Sequence, residues 1–443
     1  MLKLSRTLIS ICGVALVACS GSGQPSGGDS QTTGGQAQTG STPPAATSGG
    51  AGTTPSAAGV RAAATAGEPG MMPSSAGAGR AATTTPAAGS GGITSTMQAG
   101  ATSAGAGGIA AAGSGGSPIS DAGTESDAAM PMGDMDRCDV GVLDPNAPPR
   151  TLELRGDLGT HDPVVIAQDD VFYEHQTGPR VPGKTSRDLM SWEGAPAALG
   201  GRNPDWVARE VPDARDLWAP DLSFFGGKYH LYYSASSFGS NSSCIGHATR
   251  DSMREGAWAD QGPVVCSNHG SKDDWNAIDP NAIMDRDGKA YLFFGSFWDG
   301  IKVIELNTDG SRAGTALHSV ASRQGGAIEA PFVVRRCGYY YLFTSFDKCC
   351  NGAMSTYNIR VGRSDEVLGP YKDKSGKALL EGGGTELVKS GGSWRGPGHN
   401  AILFHGKKAY NIYHAYRSDN GNSTLRVSEL AWDADGWPVS AGP

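Results

Sequence analysis

Three carboxylates stand where apolar, strand-like segments begin, and together they could carry out acid–base chemistry. Asp162 lies in THDPVVI, Asp279 in WNAIDPN and Glu329 in GAIEAPFV. Converging carboxylates can cleave a glycosidic bond, because one protonates the leaving oxygen while another activates water. A third raises the pKa of the proton donor by like-charge repulsion. Glu329, between Ile328 and Ala330, has the driest sequence surroundings and is the predicted acid.

The segments that carry these acids belong to a recurring unit of a short apolar strand, a turn containing glycine, an aromatic strand and a third strand. The five copies begin HDPVVI, WAPDLSFF, DPNAIMD, EAPFVVR and HNAILFH. Alternating aromatic strands, without a long apolar segment of helical period, indicate an all-β protein. The repetition predicts a five-bladed β-propeller. A β-sandwich or a parallel β-helix is the alternative, but neither explains a recurring antiparallel unit of this length.

The first strand of each propeller blade is innermost and lines the central channel. Aligning the copies places these residues at the strand heads: Asp162, Trp218, Asp279, Glu329 and His399. Taken singly, an aspartate before proline is explained by turn formation, since both residue types are common in turns. Turn formation does not explain acids at equivalent positions in three copies. We therefore expect the functional site at the end of the channel.

Residues 1–18 predict a secretory signal, because a basic start precedes the apolar run ISICGVALVA, which is too short to span a membrane stably. The residues LVAC, ending at Cys19, resemble a bacterial lipoprotein cleavage box, in which the cysteine becomes lipidated; a plain signal peptide is the alternative. We expect an exported lipoprotein, anchored to a membrane through Cys19, in the periplasm or at the outer membrane and cell surface. Ser20 favours the outer membrane.

Residues 19–136 are almost wholly Gly, Ala, Ser, Thr, Gln and Pro, and all 9 Trp, 13 Tyr and 11 Phe follow them. Such a segment cannot bury enough apolar surface to offset the entropy lost on ordering, so it predicts a flexible tether. Residues 137–443 are then the predicted folded, catalytic domain. The net charge is -8 without a stripe of Lys and Arg in the sequence. We therefore expect no nucleic-acid partner, and we expect a monomer.

Six cysteines follow the predicted signal and its cleavage site: Cys138, Cys244, Cys266, Cys337, Cys349 and Cys350. Export permits disulfides, and six cysteines allow many pairings. Cys244 and Cys266 lie on predicted consecutive strands, so a cross-strand bridge between them is the first expectation. Cys349 and Cys350 lack metal-ligand spacing, which favours packing or a disulfide over a zinc site.

From about Gly159 onward the sequence resembles glycoside hydrolase family 43, and within it most closely the arabinan endo-1,5-α-L-arabinanases. The stretches that carry the resemblance are in order and span the predicted folded part: THDPVVI, LWAPDLS, WNAIDPN, FGSFWDG, GAIEAPFV, FDKCCNG, STYNIRVGRS, GPGHN and LAWDADGWP. The resemblance implies a five-bladed propeller that hydrolyses arabinan, a pectin side chain, with inversion. It implies a general base at Asp162, a general acid at Glu329, and at Asp279 a residue that positions the acid and tunes its pKa. Inversion predicts that the carboxyls of Asp162 and Glu329 lie about 6.5 to 9.5 Å apart.

The resemblance also implies that His399 binds a metal ion on the channel axis, usually Ca²⁺, with waters completing its shell. The residues by themselves favour a different interpretation, a histidine that hydrogen-bonds the carboxyls. Calcium prefers oxygen ligands, and the sequence shows no second ligand near His399.

Sugar binding needs aromatic faces and hydrogen-bonding groups at the rim of a cleft. Trp218 is a predicted platform for an arabinose ring, with core packing as the alternative. Phe238 and Trp298 follow aromatic strands at equivalent positions and are further predicted platforms. By resemblance, Asn276 and Ser296 are predicted polar contacts to the central sugar.

Two alternative functions remain open. An exo-acting α-L-arabinofuranosidase or β-xylosidase of the same family commonly carries an added sandwich domain, whereas this sequence ends soon after GWPVS, which favours the endo enzyme. The other alternative is a non-catalytic surface propeller that captures glycans. The three carboxylates disfavour it, because a lectin needs no acid with a raised pKa.

Overall fold

The computed structural model describes residues 137–268 and 273–443. The predicted signal, 1–18, and the predicted tether, 19–136, lie outside the described residues. The described residues form five separate sheets of four or five strands. Each sheet is formed from one continuous stretch of the chain, so the predicted all-β fold and the five-bladed β-propeller are confirmed.

Blade 1 has five strands, and blade 2 has four and follows a short helix. Blade 1 holds β1 (Arg155–Gly156), β2 (Val164–Gln168), β3 (Val171–His175), β4 (Gly183–Ser186) and β5 (Ser191–Ala195), in the sheet order β1-β5-β4-β3-β2. A short helix, α1 (Asp205–Glu210), leads to blade 2, which holds β6 (Leu217–Phe225), β7 (Lys228–Ala235), β8 (Ser243–Arg250) and β9 (Ala259–Ser267). Within the described part of the chain, no helix is long and apolar enough to cross a membrane.

The remaining blades are four-stranded antiparallel sheets in chain order. Blade 3 holds β10 (Asn281–Met284), β11 (Ala290–Phe294), β12 (Ile301–Leu306) and β13 (His318–Ala321). Blade 4 holds β14 (Ile328–Arg336), β15 (Tyr339–Phe346), β16 (Asn358–Ser364) and β17 (Thr385–Val388). Blade 5 holds β18 (Trp394–His405), β19 (Lys408–Arg417), β20 (Ser423–Trp432) and β21 (Pro438–Ser440). Short 3₁₀ turns occur at Gly352–Met354 and Leu379–Glu381.

The strands β2, β6, β10, β14 and β18, each the first antiparallel strand of its blade, contact one another in a closed ring. β2 contacts β6, β6 contacts β10, β10 contacts β14, β14 contacts β18, and β18 returns to β2. They are therefore the innermost strands, as the sequence predicts. Apolar clusters fill the spaces between neighbouring blades, and the second strands contribute fully buried side chains at matching places: Leu231, Leu292, Leu342 and Ile412. Burial of these side chains holds the blades together.

The start of the described chain closes the ring by running along blade 5. Leu143 N–H donates to the carbonyl of Trp432 at 3.0 Å, and Leu152 N–H donates to that of Val427 at 2.8 Å. A disulfide between Cys138 and Cys337 ties the same segment to the turn between β14 and β15. The predicted cross-strand bridge Cys244–Cys266 is present between β8 and β9. Cys349 and Cys350 are bonded to each other, as one of the two favoured interpretations predicts.

Each first strand has one non-glycine residue at its head in the left-handed backbone region, and these residues mark the structural equivalence between blades. They are Asp162, Ala219, Asp279, Ala330 and His399, with φ of 51°, 45°, 59°, 55° and 49°. The predicted alignment is therefore wrong by one residue in two blades, because Trp218 and Glu329 precede the equivalent position. A register shift follows each of them, between Trp218 and Asp221 and between Glu329 and Phe332. Such bulges re-aim a side chain at a strand end, which a sequence alignment does not show.

The backbone N–H of each of these head residues donates a hydrogen bond to a side chain of the preceding blade. The acceptors are Thr177 for Ala219 (2.8 Å), Ser234 for Asp279 (3.0 Å), Asp279 for Ala330 (3.1 Å), Ser345 for His399 (2.8 Å) and His414 for Asp162 (3.1 Å). Left-handed backbone is costly for a residue with a Cβ, so these bonds help to hold it. The ring of cross-blade bonds fixes the strand heads relative to one another.

Candidate active site

Asp162 lies just before β2 and is held as a carboxylate. Its side chain accepts a hydrogen bond from Thr177 Oγ1 at 2.6 Å, and His161 Nδ1 lies 2.9 Å from the same oxygen, Oδ2. His399 Nδ1 approaches the other oxygen, Oδ1, at 3.1 Å. Burial alone would raise the pKa of Asp162, but the imidazoles of His161 and His399 hold that pKa well below its usual range. An ionised carboxylate of this kind can accept a proton from water.

Glu329, on β14, is held in the opposite protonation state. Only 7% of the residue is exposed. Ser296 Oγ donates to Oε2 at 2.7 Å, and the Tyr357 hydroxyl donates to Oε1 at 2.5 Å. Burial raises the pKa of Glu329 above its ordinary value, although these two hydrogen bonds act in the other direction. The buried carboxyl therefore favours retaining a proton, as a general acid must.

Asp279 connects blade 3 to blade 4, which carries Glu329. It lies just before β10, and its Oδ2 accepts the N–H of Ala330, the residue after Glu329, at 3.1 Å. Burial raises the pKa of Asp279 to about 8, and the nearby carboxylates of Glu329 and Asp162 act in the same direction against the imidazole of His399. Two neighbouring buried carboxyls with raised pKa values share protons rather than ionise together. Asp279 thus fixes the backbone beside Glu329.

Tyr357 reaches Glu329 because a glycine of blade 5 leaves room for its ring. A Cβ placed on Gly398 would lie 2.0 Å from Tyr357 Cδ1, which no side chain could tolerate. Tyr357 is itself fully buried, and burial raises the pKa of its hydroxyl well above the ordinary value. It therefore acts as a neutral donor. The sequence reasoning missed Tyr357, although it lies in STYNIRVGRS, one of the stretches that carry the resemblance.

A histidine cluster surrounds Asp162. His161 and His414 stack with ring centroids 4.1 Å apart, and His161 Nε2 lies 2.8 Å from the Tyr416 hydroxyl. Burial lowers the pKa of His414 well below its ordinary value, so that ring is neutral. His399 differs: burial acts to lower its pKa, but the Asp162 carboxylate raises it to about 9. The alternative interpretation of His399, a histidine bonded to a carboxyl, describes its contact with Asp162.

His161, Asp162 and His414 could hold a metal ion, since their ligand atoms all lie within 4.8 Å of one another. The sequence pointed to His399 instead, and His399 is outside this group. Both ring nitrogens of His161 have hydrogen-bond partners, and His414 Nδ1 accepts the N–H of Asp162. Among the described residues, His414 Nε2 is buried without a partner. Imidazole-rich donors suit transition metals, whereas calcium takes about six to eight oxygens, so these side chains do not form a calcium cage of their own.

The predicted sugar contacts differ in exposure, from the exposed Phe238 to the buried Asn276 and Ser296. Trp218 and Phe238 form an aromatic pair with centroids 5.1 Å apart, and Phe238 is 75% exposed. Trp298 is half-buried after β11. Asn276 is buried, and its Oδ1 has no hydrogen-bond partner among the described residues. Ser296 donates its hydroxyl hydrogen to Glu329, so in this arrangement it serves the acid.

The structure thus brings Asp162, Asp279, Glu329, His399 and Ser296 into one connected site. Other members were not identified from the sequence: His161, Thr177, Tyr357, His414 and Tyr416. His161 adjoins Asp162 in THDPVVI, so its position in the sequence could have identified it as a member of the site. Thr177 is 15 positions from Asp162 and has no pattern that marks it. His414 and Tyr416, on β19, lie about 250 positions away, and only the fold brings them near Asp162.

A model of glycosyl hydrolases family 43 matches residues 157–438. The chain belongs to this family. An extracellular endo-α-(1→5)-L-arabinanase 1 of Bacillus subtilis (strain 168) is 42% identical over 288 residues, covering 63% of this chain and 86% of that protein. An extracellular exo-α-(1→5)-L-arabinofuranosidase, ArbA, of Cellvibrio japonicus (strain Ueda107) is 40% identical over 300 residues, with the same coverages of 63% and 86%.

Solved structures of family 43 proteins have the same fold. The endo-arabinanase from Bacillus licheniformis is 44% identical with a TM-score of 0.62, covering 65% of this chain and 99% of that one. The α-L-arabinanase of Cellvibrio cellulosa complexed with arabinohexaose is 38% identical with a TM-score of 0.61, covering 64% and 95%. The family and the site together identify this family 43 propeller as a glycoside hydrolase of arabinanase type.

Proposed function

We propose that this family 43 hydrolase is an exported endo-arabinanase, which cleaves internal α-1,5-L-arabinofuranosyl linkages with inversion. The proposal rests on the opposite pKa shifts of Asp162 and Glu329. Imidazoles keep Asp162 ionised, whereas burial favours the protonated form of Glu329. One group can therefore take a proton at the same pH at which the other gives one.

The proposed reaction assigns one proton transfer to each of these two groups. Glu329 protonates the glycosidic oxygen of the leaving sugar. Asp162 takes a proton from a water molecule as that water attacks the anomeric carbon from the opposite face. Asp279 holds the backbone at Ala330 and, as a neighbouring carboxyl, favours the protonated form of the acid. After each cycle the proton taken by Asp162 returns to Glu329 through solvent.

The substrate proposal rests on the relatives and on the exposed aromatic pair. Relatives named as arabinanases, one of them complexed with arabinohexaose, support arabinan as the polymer. Trp218 and Phe238 would stack on sugar rings, with Trp298 as a further platform, and Asn276 has an unpaired buried carbonyl oxygen that could accept a sugar hydroxyl. Double replacement of Trp218 and Phe238 by Ala should raise KM more than it lowers kcat.

An exo-acting arabinofuranosidase is the second candidate, because a relative with that name is nearly as similar as the endo enzyme. Chromatography of digests of linear 1,5-α-arabinan separates the two. An endo enzyme gives a ladder of oligosaccharides from the first minutes, whereas arabinose alone would establish exo cleavage. Glu329→Gln is the matched control and should give neither. A parent protein that binds arabinan without releasing products would instead be a glycan-capture module.

The proposal includes a calcium ion bound by His399. Nδ1 of His399 already faces Asp162 at 3.1 Å, so Nε2 would be the ligand atom. Water would supply most of the remaining ligands, and the ion would add positive charge beside the carboxylates. Calorimetric titration with Ca²⁺ and with Zn²⁺ tests this assignment in the parent, His399→Ala and His414→Ala. Calcium binding lost only in His399→Ala supports it, whereas zinc binding lost in His414→Ala would assign the metal to the other group.

The cellular location also belongs to the proposal. Relatives named as extracellular enzymes support export. We further propose that Cys19 is lipidated and that residues 19–136 form a tether. Residues 137–443 would then be a monomeric catalytic domain. Metabolic labelling with a fatty acid should mark the parent protein and leave Cys19→Ser unlabelled. Light scattering of the purified protein should give the mass of one chain.

A further inference from the structure

The segment that joins β15 to β16 approaches both partners of the proposed acid–base pair. It contains the bonded neighbours Cys349 and Cys350 and ends at Tyr357, whose hydroxyl donates to Glu329. The backbone N–H groups of Thr356 and Tyr357 both donate to the carbonyl of Lys348, so the segment folds back on itself. The disulfide therefore lies at one end of a closed loop whose other end contacts the acid.

A chain of hydrogen bonds leads from this disulfide to the base. The N–H of Cys350 donates to the Tyr416 oxygen at 2.9 Å, the Tyr416 hydroxyl lies 2.8 Å from His161 Nε2, and His161 Nδ1 lies 2.9 Å from Asp162 Oδ2. The Cys350 sulfur also lies 3.8 Å from His161 Nε2.

The directions of the outer two bonds are set by groups that can only donate or only accept. The backbone N–H of Cys350 donates to the Tyr416 oxygen, and the ionised Asp162 carboxylate accepts from His161 Nδ1. In the ring form of His161 with its hydrogen on Nδ1, Nε2 accepts from the Tyr416 hydroxyl. The loop contact, which occupies one lone pair of the Tyr416 oxygen, supports this ring form.

We propose that the Cys349–Cys350 disulfide and Tyr416 are positioning residues for Asp162, so that reducing this disulfide lowers kcat of the folded enzyme. The effect on kcat rests on the function proposed above. Cys350 has a φ of 63°, in the left-handed region that residues with a Cβ rarely adopt. A bond between neighbouring side chains restrains that backbone. Once the restraint is lost, the peptide relaxes and its N–H leaves Tyr416.

The reductant is a dithiol, and the reaction balances within the two molecules. Two electrons and two protons pass from the dithiol to the protein disulfide. The sulfur–sulfur bond of Cys349 and Cys350 becomes two thiols, and the reductant closes its own disulfide. Cys350 is exposed, so a small dithiol can reach it.

The test measures kcat and KM of the full chain on linear arabinan, oxidised and dithiol-treated. Reduction should lower kcat roughly 10-fold, less than the loss of a base itself, with KM within about twofold and the unfolding temperature retained. Cys349→Ser with Cys350→Ser should show the low kcat without reductant and no further response to it. Cys244→Ala with Cys266→Ala is the matched control, which should keep the parent's kcat and its response to reductant.

A rise in KM with kcat unchanged would overturn the proposal, because it would make the disulfide a sugar contact. So would a serine double variant that is fully active. Non-additive losses of kcat for Tyr416→Phe and the serine pair are expected if both act through His161.

Nitrogen NMR of the chain labelled at histidine tests the positioning without substrate. His161 should carry its hydrogen on Nδ1 in the oxidised parent and lose that preference on reduction or in Tyr416→Phe. Identical His161 signals in all three samples would refute the positioning. A parent that shows the NMR change but does not cleave arabinan would instead mean that the proposed function is wrong.

Discussion

Removing the hydroxyl of Tyr357 tests the assignment of Glu329 as the proton donor. In Tyr357→Phe the ring can still pack beside Gly398, but Glu329 Oε1 loses the donor at 2.5 Å. That donor stabilises the ionised carboxylate, so its loss must raise the pKa of Glu329 further. In the proposed mechanism the enzyme is active only while this acid is protonated. The alkaline limb of its pH profile should therefore move to higher pH.

The size of the shift follows from the strength of the lost bond. A hydrogen bond to a charged group contributes about 1.5–3 kcal/mol to stability. A difference of about 1.36 kcal/mol between protonation states corresponds to one pH unit. The expected movement of the alkaline limb is therefore about one to two pH units, divided between Glu329 and Asp279 because they exchange protons. The acidic limb, set by Asp162, should stay where it is.

The assay is kcat/KM on linear arabinan between about pH 4 and pH 10, since kcat/KM reports the free enzyme. Tyr371→Phe is the matched control, because its hydroxyl is also buried but donates to the Val367 carbonyl at 2.7 Å, away from the carboxyls. An alkaline limb that moves to lower pH in Tyr357→Phe would refute the reasoning. An equal shift of the alkaline limb in Tyr371→Phe would mean that the shift in Tyr357→Phe comes from general loosening of blade 4.

Three further outcomes follow from other contacts. Asp162→Asn should lower kcat by about 10²- to 10⁴-fold while calorimetry shows unchanged binding of arabinan oligosaccharides, and an unchanged kcat would exclude it as the base. Thr177→Val removes a donor to the Asp162 carboxylate, so the acidic limb of the pH profile should move to higher pH; a shift to lower pH contradicts this. Because the folded-state pKa of Asp162 is depressed, its stabilising contribution is present above the unfolded pKa of about 4 and is lost as pH falls through the folded value. Denaturant unfolding should therefore show a smaller loss of stability on acidification in Asp162→Asn than in the parent.

The blade architecture could be predicted because it depends on local patterns that repeat. Each copy has an apolar first strand and an aromatic second strand, and matching positions such as Leu231 and Leu342 are fully buried. The bridge Cys244–Cys266 was also predictable, since consecutive strands of one blade are neighbours. Cys138–Cys337 was not, because closure of the ring brings together residues separated by 199 positions.

The carboxylates were predictable, but the details of their surroundings were not. Trp218 and Glu329 were placed one position out of register, because bulges at the strand heads leave no mark on an apolar pattern. Tyr357 lies in the loop before β16, and Tyr416 lies on β19 of another blade than Asp162. In the sequence neither tyrosine differs from the many others near the aromatic strands. The pKa contrast between Asp162 and Glu329 arises from burial of Glu329 and from the imidazoles of His161 and His399 beside Asp162, so it emerges only from the folded arrangement.

The stereochemistry of the first product tests the central claim most directly. Proton NMR should follow the anomeric signals during the first minutes after the purified protein is mixed with linear 1,5-α-arabinan. With Asp162 acting on water and Glu329 acting on the leaving oxygen, the β-anomer of the new reducing end should appear first and then equilibrate. If the α-anomer appears first, the reaction proceeds with retention, and the assignment of Asp162 as a base acting through water is wrong.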